Sequence, residues 1–286
     1  MSKSNMLLGL AKGKVGDLVF YRDGGEQRTR TRVIPKNPRT PAQMTQRAKI
    51  ANVSGIYRAL AAVMADSFTN RPSNQSGYNA FASSAIGLSP FMTKHQATAA
   101  CVLPQPALLS RGILPTIEYA AFGGTPEAAP AIAIAGQFTD ASPIKDVSAA
   151  LIAQYPSIQQ GDELTFVSIR FEAIEGADID ADVYAAVAKI LNFKVDVGEE
   201  RVIAEVGLDY DTNTITSHDA ADDWGGGIAM QAIIHSRVDI NGQLQVSTQW
   251  ASLNSAAQSL YDGYRTEQAI ADAIESYMAS NESILR

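Results

Sequence analysis

The spacing of apolar and polar residues predicts the elements in chain order. Val15 to Arg22 is rich in Val, Leu, Phe and Tyr, Glu26 to Ile34 returns, and Asp23-Gly24-Gly25 between them tolerates positive φ, which predicts a β-hairpin. On the returning strand Arg28, Arg30 and Arg32 alternate with Thr29, Thr31 and Val33. Period two puts the three guanidinium groups on one face, ~7 Å apart. Gly13 and Gly16 ahead of the first strand predict a bend or a close backbone approach. Pro35, Pro38 and Pro41 impose an extended connector, and Thr40-Pro41-Ala42-Gln43 reads as a helix start, with Thr40 as N-cap and Gln43 completing a capping box. The helix is expected from Pro41 to about Ala65, with Met44, Ala48, Ala51, Tyr57, Leu60 and Met64 on its apolar side. Gly55 in its middle predicts a kink or a close helix contact.

Beyond a polar turn at Thr69 to Gly77, a shorter helix is expected over Tyr78 to Ile86. Six prolines and no sustained period from Ser89 to Pro130 predict an irregular, partly strand-like segment that crosses or wraps the fold. Ala131 to Phe138 reads as a strand, and Ser142-Pro143 opens a short helix to about Gln154. Leu164 to Phe171, Val183 to Val195, Arg201 to Leu208, Ile228 to Val238 and Leu244 to Trp250 are β-rich runs. Asn241-Gly242 is the strongest hairpin signal, and Thr266 to Met278 closes the chain as a helix. Strands segregated from helices favour an α+β fold. The expected architecture is an N-terminal hairpin and long-helix arm over residues 1–88, an irregular Pro/Gly-rich connector over 89–130, and a β-rich body over 131–286. That body is expected to be sandwich or jelly-roll-like, with flanking helices.

Charge changes this picture. The first fifty residues hold eleven Lys and Arg against Asp17, Asp23 and Glu26, a net of +8, while the whole chain of 286 residues is −7, leaving −15 for the remainder. A basic segment on an acidic body predicts an arm with a partner, either nucleic acid or the acidic body of a neighbouring copy. The candidate contact residues are Arg28, Arg30 and Arg32, extended by Lys36, Arg39, Arg47 and Lys49. No aromatic is interleaved with these residues along the chain, which argues against base stacking.

Candidate chemistry adds little. His95, His218 and His235 occupy unrelated contexts, no G-x-S-x-G elbow is present, and Cys101 lies in an apolar run that suits a buried thiol. Asp178, Asp180 and Asp182 begin like a calcium loop, but Val183 stands where its glycine belongs and Lys189 where its bidentate Glu belongs. Asp209, Asp211 and Asn213 fail likewise, with Thr214 at the glycine position. Trp224-Gly225-Gly226-Gly227 lacks both phosphate-loop and dinucleotide spacing and reads as a flexible or bulged approach to the strand at Ile228. No catalytic residue, metal or cofactor is expected. The apolar run Met6 to Leu10 is too short for a signal-peptide core, and nothing approaches eighteen apolar residues, so the expectation is synthesis in a cytoplasm with no membrane partner.

Gly13-Lys14-Val15-Gly16-Asp17, Phe20-Tyr21, the Arg row, Asn37-Pro38-Arg39-Thr40-Pro41-Ala42-Gln43 and Arg47 form one group of residues. Tyr78-Asn79-Ala80-Phe81, Gly161 to Phe166 and Ile233 to Arg237 form another. Together they resemble a signature of uncharacterised proteins from bacteriophages and gut bacterial prophage regions. The resemblance implies a virion or virion-associated context, reached from the host cytoplasm, and assigns no catalytic residues. The expected function is a phage virion structural protein, capsid or particle-associated. It would self-assemble through the basic arm into a homo-oligomer alongside other virion proteins. The alternative is a protein that coats DNA or RNA, including viral nucleic acid, through the same arm; an enzyme is the third class.

Overall fold

In the computed structural model, which describes residues 13–23, 26–33, 40–125, 127–174 and 183–279, the chain separates into two compact units, Met1–Thr40 and Pro41–Arg286. Helix accounts for 35% and strand for 30%, in several antiparallel sheets, so the fold is α+β. The first unit is a three-stranded antiparallel meander of β1 (Gly13–Val15), β2 (Leu18–Asp23) and β3 (Glu26–Thr31). The predicted hairpin is its β2–β3 pair. Gly16, at φ +58°, turns β1 into β2, where a side chain would be strained.

The second unit opens with α1 (Pro41–Ala59) and the single turn α2 (Ala61–Met64), two helices where one was expected to about Ala65. Met44, Ala48, Asn52, Val53 and Ile56 form the buried stripe of α1. Val53, Ile56, Leu60 and Met64 belong to the largest apolar cluster of the molecule. The long helix is therefore core of the second unit, which begins at Pro41, because its apolar stripe needs a partner surface. α3 (Gly77–Ala85) follows, capped by the Ser76 hydroxyl accepting from the Asn79 amide.

The Pro-rich stretch is more ordered than its composition suggests. It contains α4 (Lys94–Thr98), with a Thr93/Gln96 capping box, and the short strands β4 (Leu108–Ser110) and β5 (Ala120–Ala121). Cys101 to Gln105 are all buried. The Cys101 and Val102 amides donate to the Gln96 and Tyr184 carbonyls, and the Asn52 side chain takes the place of a β-ladder for Leu103. Its Oδ1 accepts from the Leu103 amide at 2.7 Å, and its Nδ2 donates to the Leu103 carbonyl at 3.1 Å and to Gln105 Oε1 at 3.0 Å. The same segment explains Gly55: a Cβ there would lie 2.7 Å from Val102 Cγ2, so the close approach is to this strand-like segment and not to a helix.

The remaining elements are β6 (Pro130–Ala133), α5 (Ile144–Gln154), β7 (Glu163–Ala173), β8 (Tyr184–Lys194), β9 (Leu208–Asp211), β10 (Thr214–Ser217), α6 (His218–Gly226), β11 (Ile228–Val238), β12 (Leu244–Val246), β13 (Gln249–Trp250), β14 (Ser252–Leu253), α7 (Ser255–Gly263) and α8 (Glu267–Ala279). A central antiparallel sheet runs β12-β11-β7-β8, with β14 also on β11, and a second runs β5-β6-β10-β9. Alternation along β7 and β11 serves two cores. Val167, Ile169, Met230, Ala232 and Ile234 pack with the helices, whereas Leu164, Phe166 and Ile233 pack with α5 and the second sheet. The central sheet is thus covered by helices on one face and by sheet plus α5 on the other.

Two sequence readings are corrected here. Arg201 to Leu208 is not a strand: Ile203–Val206 is a 3-10 turn, because Glu205 reaches back to the Val202 amide at 3.2 Å and Gly207 at φ +79° ends the turn before β9. Trp224 to Gly226 is the end of α6, not a flexible approach to Ile228. It is held by the Trp224 indole N–H donating to the Glu127 carbonyl at 2.8 Å and by Asn254 Nδ2 donating to the Trp224 and Gly227 carbonyls. No helix among the described residues is long and apolar enough to cross a membrane.

Candidate functional site

The register of the N-terminal sheet sorts its residues onto two unlike faces. Val19 lies opposite both Lys14 and Arg30, and Tyr21 lies opposite Arg28. Opposed residues of antiparallel strands share a face, so Lys14, Val19, Tyr21, Arg28 and Arg30 lie together. Arg32 continues the row, its amide donating to the Asp17 carbonyl at 2.6 Å. The other face carries Val15, Leu18, Phe20, Thr29 and Thr31, with the Arg22–Gln27 rung at its end. Val15 and Leu18 are 44% and 45% exposed. None of the unit's residues with a described burial is buried.

The structure brings the three predicted arginines together and adds an aromatic that the linear order hid. Tyr21 enters the basic face from the neighbouring strand, and the Arg30 guanidinium carbon lies 5.8 Å from its ring centroid, within cation–π range. The expectation that no aromatic accompanies the row is corrected: cross-strand register, not sequence adjacency, supplies one. Alternate-strand matching of Val-Phe-Tyr against Arg-Thr-Arg was the signal available in the sequence.

Lys36 and Arg39 lie outside the described residues. Arg47 and Lys49 are on α1, in the second unit. The Lys49 ammonium sits 4.6 Å from the centre of the Phe91 ring, and partial burial followed by the nearby Arg265 charge holds its pKa below the usual lysine value. Arg47 is exposed, and its carbonyl accepts from the Tyr277 hydroxyl. Lys49 thus serves the packing of α1.

Three polar clusters elsewhere could carry chemistry. Asp162 and His235, both buried, pair at 2.7 Å between Oδ2 and Nε2, and Arg237 donates Nε to Oδ1 at 2.6 Å and Nη2 to Oδ2 at 2.7 Å. The Gln159 amide and the Ser157 carbonyl complete the set, at 2.8 Å to Asp162 and 2.7 Å from Arg237. Burial alone would raise the Asp162 carboxyl; the hydrogen bonds from Arg237, Gln159 and His235 outweigh it and hold the group below its ordinary value. Ser247 Oγ accepts from the His235 backbone amide at 3.1 Å, but among the described residues no serine or cysteine side chain bonds to the His235 ring or the Asp162 carboxylate. The groups of the pair tie the 157–162 turn to β11, so it acts as a fastener. The His235-Ser-Arg237 alternation, two polar residues on one strand face, was its trace in the sequence.

The second cluster surrounds buried Asp223, which accepts from Ser168 Oγ at 3.1 Å and from Lys189 at 3.4 Å, with Lys189 also pairing Asp219 at 2.9 Å. The third is exposed His218, 3.0 Å from Asp209 and 3.4 Å from Asp222; the hydrogen bond and charge of Asp209 raise its pKa. Asp211, Thr212 and Asn213 form the β9–β10 turn, with Thr212 and Asn213 at positive φ. No group of three His, Cys, Asp or Glu among the described residues could hold a metal ion; Asp178, Asp180 and Asp182 lie outside them. Cys101 is a buried free thiol. A cleft of about 310 Å³ opens between α2 and the central sheet, lined by Val63, Asp66, Glu163, Thr165, Asn192 and Ser236 among others, with no histidine or cysteine.

No family model, no curated protein and no solved structure matches this chain.

Proposed function

We propose that the chain is a structural subunit of a bacteriophage particle, in the capsid or associated with it, that self-assembles through its basic N-terminal arm. The observation that carries the reading is the β1–β3 sheet, whose residues with a described burial are all at least partly exposed. Three short strands whose described residues are nowhere buried have little apolar burial of their own to offset the entropy of ordering them, so a surface they join would supply the stability. Its apolar face, Val15, Leu18 and Phe20, suits a second copy of the chain. Charge favours the same partner at longer range: Met1–Thr40 carries nine basic against three acidic residues, +6, leaving −13 on the other unit. The resemblance to phage and prophage proteins supplies the virion context, with other virion proteins as further partners. The β-rich part of the second unit is the body that such an arm would link.

The test is Val15→Ser with Leu18→Ser in the full chain, followed by size-exclusion chromatography with light scattering. The expected result is a parent that elutes above monomer mass and a variant shifted toward monomer. Unchanged mass in the variant removes the apolar face from the assembly.

A further inference from the structure

We propose that the opposite, basic face of the β1–β3 sheet binds single-stranded nucleic acid, with the arginines on phosphates and Tyr21 against a base. This face is separate from the one assigned to subunit contact, so the inference does not depend on the assembly reading. Lys14, Arg28, Arg30 and Arg32 give the unit four cations, against Asp17 in the β1–β2 turn and the turn-end rung of Asp23 opposite Glu26. Neither Arg30 nor Arg32 has an ion-pair partner among the described residues.

Alternate residues of a strand are ~7 Å apart, a spacing that lets successive guanidinium groups meet successive phosphates of an extended strand, each through a bidentate contact. An acidic protein surface would also meet the arginines, but it would leave Tyr21 without a role. Tyr21 is 37% exposed in the middle of the basic face, with the Arg30 guanidinium beside its ring. An aromatic flanked by cations is a stacking platform for any base, since every base has a π-face. Duplexes hide those faces within the stack, so the aromatic selects the single strand.

The test uses the full chain, freed of nucleic acid by nuclease, and a fluorescein-labelled oligothymidylate of about 20 nucleotides, with anisotropy read from about 50 to 300 mM salt. Binding is expected at the low end, weakening linearly on a log–log plot. Replacing Arg28, Arg30 and Arg32 together with Gln should remove about 2 from that slope, at about 0.7 for each lost phosphate contact. Tyr21→Ala should weaken binding about 5- to 150-fold with the slope unchanged, the effect of losing one stacked base, and Tyr21→Phe should retain it. No binding at the lowest salt, or a triple Gln variant that binds like the parent, overturns the proposal; tighter binding of a duplex of equal length overturns the assignment to single strands. Light scattering of the same variants without oligonucleotide keeps the two readings apart. A triple variant that assembles but does not bind supports this inference, and a parent that binds but does not assemble counts against the assembly reading alone.

Discussion

Replacing Asp162 with Asn should be among the most damaging isosteric changes in the second unit. Three donors converge on Oδ2, from His235, Arg237 and the Gln159 amide, and a fourth, Arg237 Nε, meets Oδ1. Whichever oxygen becomes an NH₂ group therefore faces at least one N–H, and the Arg237 charge loses its buried counter-charge. Breaking one side of such a pair costs about 3–5 kcal/mol, a large part of the ~5–15 kcal/mol that holds a domain folded. The sign with pH follows from the lowered carboxyl pKa of Asp162 in the native state. Its contribution is complete above the unfolded value of about 3.9 and is lost as pH falls through the native value. Urea unfolding followed by circular dichroism, at about pH 7 and in steps down to about pH 3, measures both. The gap between parent and Asp162→Asn should be several kcal/mol at neutral pH and should shrink at the acid end. A gap below about 1 kcal/mol at pH 7, or one that does not change with pH, refutes the fastener role.

Gly55→Ala should destabilise by about 1–3 kcal/mol in thermal unfolding although alanine favours helix by ~1 kcal/mol, because the new Cβ meets the stiff Val102 side chain. The double change Gly55→Ala with Val102→Ala should then cost less than the sum of the two single changes, and a stabilised Gly55→Ala variant would contradict the packing. Asn52→Ala should cost about 1–3 kcal/mol for each of the Leu103 backbone groups it orphans, measured by the denaturation midpoint.

What was readable in the sequence depended on whether local pattern or tertiary packing decided each element. The β-rich run Ile228 to Val238 and the Asn241-Gly242 turn are strand and turn in the structure, because β-branched composition and positive-φ residues act locally; Gly242 sits at φ +75°. Arg201 to Leu208 misled because β-branched residues were read as strand while a Glu205 cap fixed a tight turn. Cys101 to Gln105 read as irregular, yet it runs through the core, since its hydrogen bonds come from distant or local partners that leave no strand pattern: Asn52 for Leu103, Tyr184 for Val102 and Gln96 for Cys101. At the candidate site, period two alone aligned Arg28 and Arg30, but Tyr21 joined them only through cross-strand pairing. The Asp162–His235 contact spans 73 positions, so the His235-Ser-Arg237 alternation marked one side of it and nothing local pointed to Asp162.

The central claim, that the N-terminal unit organises assembly, is tested most directly by light scattering on the nuclease-treated full chain and on a chain lacking residues 2–40. The four apolar clusters of the described residues lie beyond that segment, so the shortened chain should keep the circular dichroism of the second unit. The account predicts an assembled full chain and a folded, monomeric shortened one; a shortened chain that still assembles to the parent's mass contradicts it.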